Sequence, residues 1–198
     1  GLGITGGTVD KLSSVPGFRM DLTPEELKEQ AKRVGVAITG QTPRLAPADR
    51  KLYAMRDVTG TVASVPLIVS SILSKKLAGG CETVVLDVKC GSGAFMKTLP
   101  EAHELLAWLR DIGQLCGLNM HISITDMDQP LGRTVGNALE VMEAIRVLKG
   151  ETGRFRDVCL HFAGVALAAT GRGGPADAER ALDSGGAFAV ERIGLGSR

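Results

Sequence analysis

The chain has 198 residues, 44% of them hydrophobic, which is enough for one substantial core or two small ones. Its 23 basic and 22 acidic residues leave a net charge of +1, so there is no electrostatic case for a nucleic-acid or membrane partner. The 26 glycines fall in separate turns without a repeat, and the four scattered cysteines lack metal-ligand spacing and disulfide density; a reducing cytoplasm is the expected compartment.

Thr23-Pro24-Glu25-Glu26 supplies a helix cap, a first-turn proline and two early acids, and predicts a helix running to Arg33. Residues 34–39 predict a short strand and residues 40–47 a loop. A helix pair is expected around Tyr53 and Ile72. In its second member Pro66 suits the first turn, and Leu67, Ile68, Ile72 and Leu73 form an apolar stripe. The continuous β-branched run at 83–88 predicts a buried parallel strand, followed by a glycine turn and a helix over 101–116. A strand at 120–125 and helices over 136–148, 154–169 and 175–190 complete the pattern. Strands alternating with amphipathic helices give an α/β fold class, a mixed or parallel sheet flanked by helices. Neither a leader nor a membrane span is expected.

Residues 53–76 hold sparse polar groups on an otherwise small and apolar segment. Ser71 and Lys75 are four apart and share a helix face, and Arg56 lies on the approach to that helix. Together they offer donors to a planar, carbonyl-bearing ligand; the bland alternative is a solvated C-terminal Lys and an exposed Arg. Thr5-Gly6-Gly7-Thr8 reads either as an ordinary turn or as a run of backbone N–H groups curled toward an anion. Asp87, Lys89 and Ser92 sit at the carboxyl edge of the predicted parallel sheet, where ligands bind. His103, His121 and His161 are expected to be structural, and Asp126 and Asp128 lack the companions of a metal centre.

Tyr53-Ala54-Met55-Arg56-Asp57-Val58-Thr59 and Ser70-Ser71-Ile72-Leu73-Ser74-Lys75-Lys76 closely resemble the nucleobase-binding segment of the thymidine/pyrimidine nucleoside phosphorylases. The resemblance extends in order through Thr5-Gly6-Gly7-Thr8-Val9-Asp10-Lys11-Leu12, Ile38-Thr39-Gly40-Gln41-Thr42, Leu45-Ala46-Pro47-Ala48-Asp49, Leu86-Asp87-Val88-Lys89-Cys90-Gly91-Ser92-Gly93-Ala94-Phe95-Met96-Lys97 and Pro130-Leu131-Gly132-Arg133-Thr134-Val135-Gly136-Asn137-Ala138-Leu139-Glu140-Val141. Ile4, Ser13 and Ala63 depart from it, standing where the family commonly has His, Glu and an acid.

This resemblance implies phosphorolysis of thymidine or another pyrimidine nucleoside to free base and (deoxy)ribose 1-phosphate. Arg56 and Lys75 would be catalytic, binding the base with Ser71 and Tyr53. Thr8, Gly6 and Gly7 would bind phosphate, the co-substrate, and no organic cofactor is implied. Leu131, Thr134 and Glu143 match positions that hold a potassium ion in bacterial relatives, a solvated helix carboxylate being the alternative for Glu143. The family's architecture implies an α/β portion at 1–47, part of a small all-helical domain at 48–78 and a second α/β portion at 79–198, within a homodimer. It also implies that the family's upstream phosphate loop and downstream glycine-rich portion lie outside this chain. The rivals are a truncated, non-catalytic homologue that binds or dimerises, and a phosphoribosyltransferase of similar fold.

Overall fold

The computed structural model describes residues 7–40, 46–61 and 63–189, apart from the side chains of residues 50, 53 and 57. The chain divides into two compact units, one formed by Thr42–Pro130 and the other by Gly1–Gln41 with Leu131–Arg198.

The first unit is α/β. Helices α3 (Pro47–Thr59) and α4 (Val65–Ala78) precede strand β1 (Thr83–Cys90), helix α5 (Leu99–Leu115) and strand β2 (Asn119–Asp126). The strands pair in parallel, from Thr83 against Asn119 to Cys90 against Asp126, with α5 as the crossover. Both members of the helix pair begin on sequence signals. Pro47 and Pro66 occupy first turns, where a missing N–H costs nothing. At α5, Thr98 accepts from the Glu101 amide while Glu101 accepts from the Thr98 amide at 3.0 Å. The core joins Val69 and Leu73 of α4, Val84, Val88 and Cys90 of β1, and Ala102, Leu105 and Leu109 of α5. Gly113 lets α5 approach β2, since a Cβ there would lie 2.6 Å from the Met120 side chain.

The second unit holds α1 (Thr8–Leu12), α2 (Pro24–Val34), α6 (Asn137–Leu148), α7 (Arg154–Ala169) and α8 (Pro175–Asp183). Thr23 caps α2 in a reciprocal bond pair with Glu26. Lys11 of α1 pairs with Glu140 of α6. Arg156 of α7 reaches Asp183 of α8 at 2.6 Å, and Gly164 admits Pro175 where a Cβ would stand 2.9 Å from its Cα.

The fold class and the order of elements agree with the sequence reading, with two corrections. Residues 34–39 form no strand: Val34 ends α2, and Gly35 turns the chain in the left-handed region at φ 87°. Thr39 then ties the segment to Met20 and Leu22 through its hydroxyl, and a single backbone bond, from Gly40 N to Met20 O, stands in place of a ladder. The last helix is shorter than 175–190, because Gly185, at φ 77°, interrupts it after Asp183. On α4 Val69 and Leu73 are buried and Leu77 is exposed, whereas on α3 Leu52, Met55 and Val58 are exposed.

Candidate functional site

The α/β unit brings Arg56, Ser71 and Lys75 together around a fourth residue, Asp49. Asp49 sits in the first turn of α3, where Ala46-Pro47 starts the helix, and Arg56 lies two turns later on the same face. Ser71 and Lys75 come from adjacent turns of α4. Lys75 Nζ donates to Asp49 Oδ2 at 2.6 Å and to Ser71 Oγ at 2.7 Å. Lys75 Nζ thus bridges the Asp49 carboxylate and the Ser71 hydroxyl. Arg56 donates through Nη1 to Leu67 O at 3.1 Å and through Nε to Thr61 O at 3.5 Å, which holds the turn between the two helices.

Asp49, Arg56 and Ser71 are all buried, a costly arrangement for charged groups unless they are paired. Burial alone would raise the Asp49 pKa. The bond from Lys75 and the influence of the Ser71 hydroxyl, with the nearby charges of Lys75 and Arg56, together outweigh it and hold the carboxyl below its ordinary value. The carboxylate is therefore ionised at neutral pH, and the cluster presents two cations, one anion and a hydroxyl. Sequence reasoning missed Asp49 because a first-turn acid already has a helix-dipole explanation. Its seven-residue spacing from Arg56 was the available signal. Tyr53 is in the same helix, and its side chain lies outside the described residues.

The expected phosphate segment is placed in part. Gly6 lies outside the described residues. Gly7 precedes the short helix α1, and its N–H donates to Asp10 Oδ2 at 2.8 Å, so in this conformation a carboxylate holds that donor. Thr8 is exposed.

Glu143, buried in α6, fastens the loop before that helix. Its Oε1 accepts from the Arg133 amide at 2.7 Å; its Oε2 accepts from the Thr134 amide at 3.0 Å and the Thr134 hydroxyl at 2.5 Å. The hydroxyl bond is the largest of the influences that hold its pKa below the ordinary value. Gly132 is required here, since a Cβ would stand 2.5 Å from Oε2. As a potassium site the group fits only in part. Glu143 lies beside the loop that carries Leu131 and Thr134, but three of the roughly four lone-pair directions of its carboxylate are already taken.

At the carboxyl edge of the sheet, Lys89 bonds Asp87 Oδ2 at 2.7 Å and Thr125 Oγ1 at 2.9 Å, and the Thr125 hydroxyl donates to Asp87 Oδ1 at 2.5 Å. The Ser92 amide donates to Asp128 Oδ1 at 2.7 Å, the Gly93 amide to Met127 O and the Met127 amide to Cys90 O. Among the described residues no three His, Cys, Asp or Glu side chains are grouped to hold a metal ion, and no helix is long and apolar enough to cross a membrane.

The sequence pattern of the glycosyl transferase family, a/b domain, matches residues 1–188. The pyrimidine-nucleoside phosphorylase of Geobacillus stearothermophilus is 54% identical over 161 residues, 81% of this chain and 37% of the relative. That of Bacillus subtilis (strain 168) is 56% identical over 151 residues, 76% of this chain and 35% of the relative. The chain thus spans little more than a third of the length of these curated relatives.

Proposed function

The chain belongs to the glycosyl transferase family, a/b domain, and from that membership we infer that it carries the base-binding part of a pyrimidine nucleoside phosphorylase. The observation that carries this reading is the meeting of Arg56, Ser71 and Lys75 around one buried carboxylate. Those three residues come from two helices and from positions the family resemblance singles out.

In the proposed reaction a phosphate oxygen attacks the anomeric carbon of a thymidine-like or uridine-like nucleoside. The bond from that carbon to the base nitrogen breaks, and its electron pair leaves with the base. Negative charge grows on the ring carbonyls as the bond lengthens. Donors from Arg56 and Lys75 to those carbonyls therefore strengthen toward the transition state, which is how a binding group lowers a barrier. Lys75 has three N–H groups and spends two on Asp49 and Ser71, leaving one for the base. Ser71 meets the N3 edge, and Tyr53 packs on the base or sugar.

Thr8 with Gly6 and Gly7 is the phosphate side of this reading, and it requires the Gly7 N–H to exchange Asp10 for the anion. Potassium at Leu131, Thr134 and Glu143 would brace the same loop, through the lone pair of Glu143 that the loop leaves open. The division into 1–47, 48–78 and 79–198, the homodimer and the cytoplasm belong to the proposal as well. The all-helical stretch of α3 and α4, the exposed apolar side of α3 and the free thiols of the cysteines support those parts in turn. The names of the relatives set phosphorolysis above a phosphoribosyl transfer or a non-catalytic role.

The test is the release of free base from thymidine and from uridine by the full-length gene product, with and without inorganic phosphate. Phosphate-dependent release that Lys75→Met abolishes is expected. A protein that releases no base from either nucleoside sinks the reading.

A further inference from the structure

The helix behind the candidate phosphate turn has little of its own to hold it. Helix α1 is five residues long, and none of them is buried, so no core side chain anchors it. A helix this short is not stable by itself and takes its place from what it is fastened to. Thr8 and Lys11 are three apart and are therefore neighbours on one face of α1. On that face Lys11 forms an ion pair with Oε2 of Glu140, in the first turn of α6.

The far end of this tie is itself fixed. Glu140 Oε1 accepts from the Gly136 amide at 3.3 Å. Glu143 is three residues on, next to Glu140 on the surface of α6, and accepts from the Arg133 and Thr134 amides. Two carboxylates thus clasp the loop 131–136 to its helix, and the second oxygen of Glu140 extends the clasp to α1. The side chains of Lys11 and Glu140 are 37% and 31% exposed, so the pair adds little to global stability and its effect is local.

We propose that Lys11 and Glu140 are positioning residues for phosphate: their ion pair registers the Gly7–Thr8 turn against the clasped loop, and phosphate affinity falls when either partner is removed, although neither touches the anion. This rests on the reading of Gly6, Gly7 and Thr8 as the phosphate side of the site. A purely electrostatic role would have the opposite sign at Glu140. Deleting a carboxylate near a dianion relieves repulsion and should tighten binding, whereas deleting one end of a positioning tie weakens it.

Calorimetric titration of the full-length gene product with inorganic phosphate tests this without any catalytic step. Glu140→Gln and Lys11→Met should each weaken phosphate binding by about fivefold, the upper end of what a part-exposed ion pair is worth. The charge swap Lys11→Glu with Glu140→Lys should recover most of that loss, which a lysine acting on phosphate directly would not allow. If Glu140→Gln does not fold, Lys11→Met and the swap carry the test. Unchanged or tighter phosphate binding in a folded Glu140→Gln, or a swap that binds no better than Lys11→Met, overturns the proposal. Thr8→Val separates the premise from it. If Thr8→Val leaves phosphate affinity unchanged, the phosphate reading falls and the role of the ion pair with it. Weaker binding in Thr8→Val beside wild-type binding in Lys11→Met and Glu140→Gln sinks the role of the ion pair alone.

Discussion

Lys75 Nζ lies 2.6 Å from Asp49 Oδ2, which ties the last turn of α4 to the first turn of α3. The pair is partly screened, with the Lys75 side chain 29% exposed, so its worth lies in the position it gives the ammonium more than in bulk stability. If the ammonium acts on the departing base, Lys75→Met should lower kcat by roughly a hundredfold or more, the usual cost of losing one donor to developing charge. Steady-state kinetics on thymidine checks this, and a variant with unchanged kcat and kcat/KM would remove Lys75 from the reaction.

Arg56 should show a divided effect. Its guanidinium holds the carbonyls of Thr61 and Leu67, so Arg56→Ala should lower the melting temperature as well as turnover. Arg56→Lys keeps a charge without the planar fork and should recover little of either. A melting curve unchanged in Arg56→Ala would show that the bonds to the turn carry no weight.

Asp49 and Glu143 give the fold an acid limit. Each has its folded pKa held below the ordinary value, so the unfolded chain binds protons more readily as the pH falls. Their contributions are fully present above the unfolded pKa, about 4 for a carboxylate, and are lost as the pH falls below it through the folded values. Melting temperature against pH should therefore fall steeply below about pH 4, and the combined variant Asp49→Asn, Glu143→Gln should flatten that fall.

Glu143→Gln should cost about 2 kcal/mol at neutral pH, because the amide nitrogen would face a backbone N–H where an oxygen now accepts. Gly132→Ala should be at least as damaging. The carboxylate it would strike is fixed by three bonds and cannot swing aside without releasing them. Urea denaturation measures both, and wild-type stability in Gly132→Ala would mean the loop has room to shift.

On α3, Leu52, Met55 and Val58 are exposed, Val58 at 88%. Adjacent apolar side chains on one helix favour self-association. Light scattering should show oligomers that Val58→Glu with Met55→Glu disperses, and a monodisperse wild-type monomer would count against the homodimer.

Phosphate binding should be limited by Asp10, whose carboxylate occupies the Gly7 N–H. Asp10→Asn should bind inorganic phosphate more tightly and Thr8→Val more weakly, as read by calorimetry. Equal affinities in all three proteins would dissociate this turn from the anion.

The elements with local signals were legible in the sequence. Thr23 and Glu26 marked the start of α2, Thr98 and Glu101 that of α5, and the β-branched run at 83–88 marked β1. The false strand at 34–39 had suitable residues, yet a strand needs a partner, and Thr39 satisfies the nearby backbone with its side chain instead. The adjacency of Ser71 and Lys75 on one face of α4 was legible from their spacing, and Arg56 was singled out beside them by the resemblance. Asp49 and the bonding of Glu143 were not legible. Each depends on which distant groups fold against it, 26 residues away for Asp49 and Lys75, and no local pattern encodes that distance.

Ser92, Gly93 and Met127 exchange bonds between the loops that follow β1 and β2. Neither loop can detach while the other stays closed, because the Ser92 amide ends on Asp128 and the Met127 amide ends on Cys90. The two turns are therefore expected to open together, giving their amides a common opening free energy in hydrogen exchange. A ligand gripping either turn would slow exchange at both, so the sheet edge reports occupancy of one loop through the quiet of its neighbour.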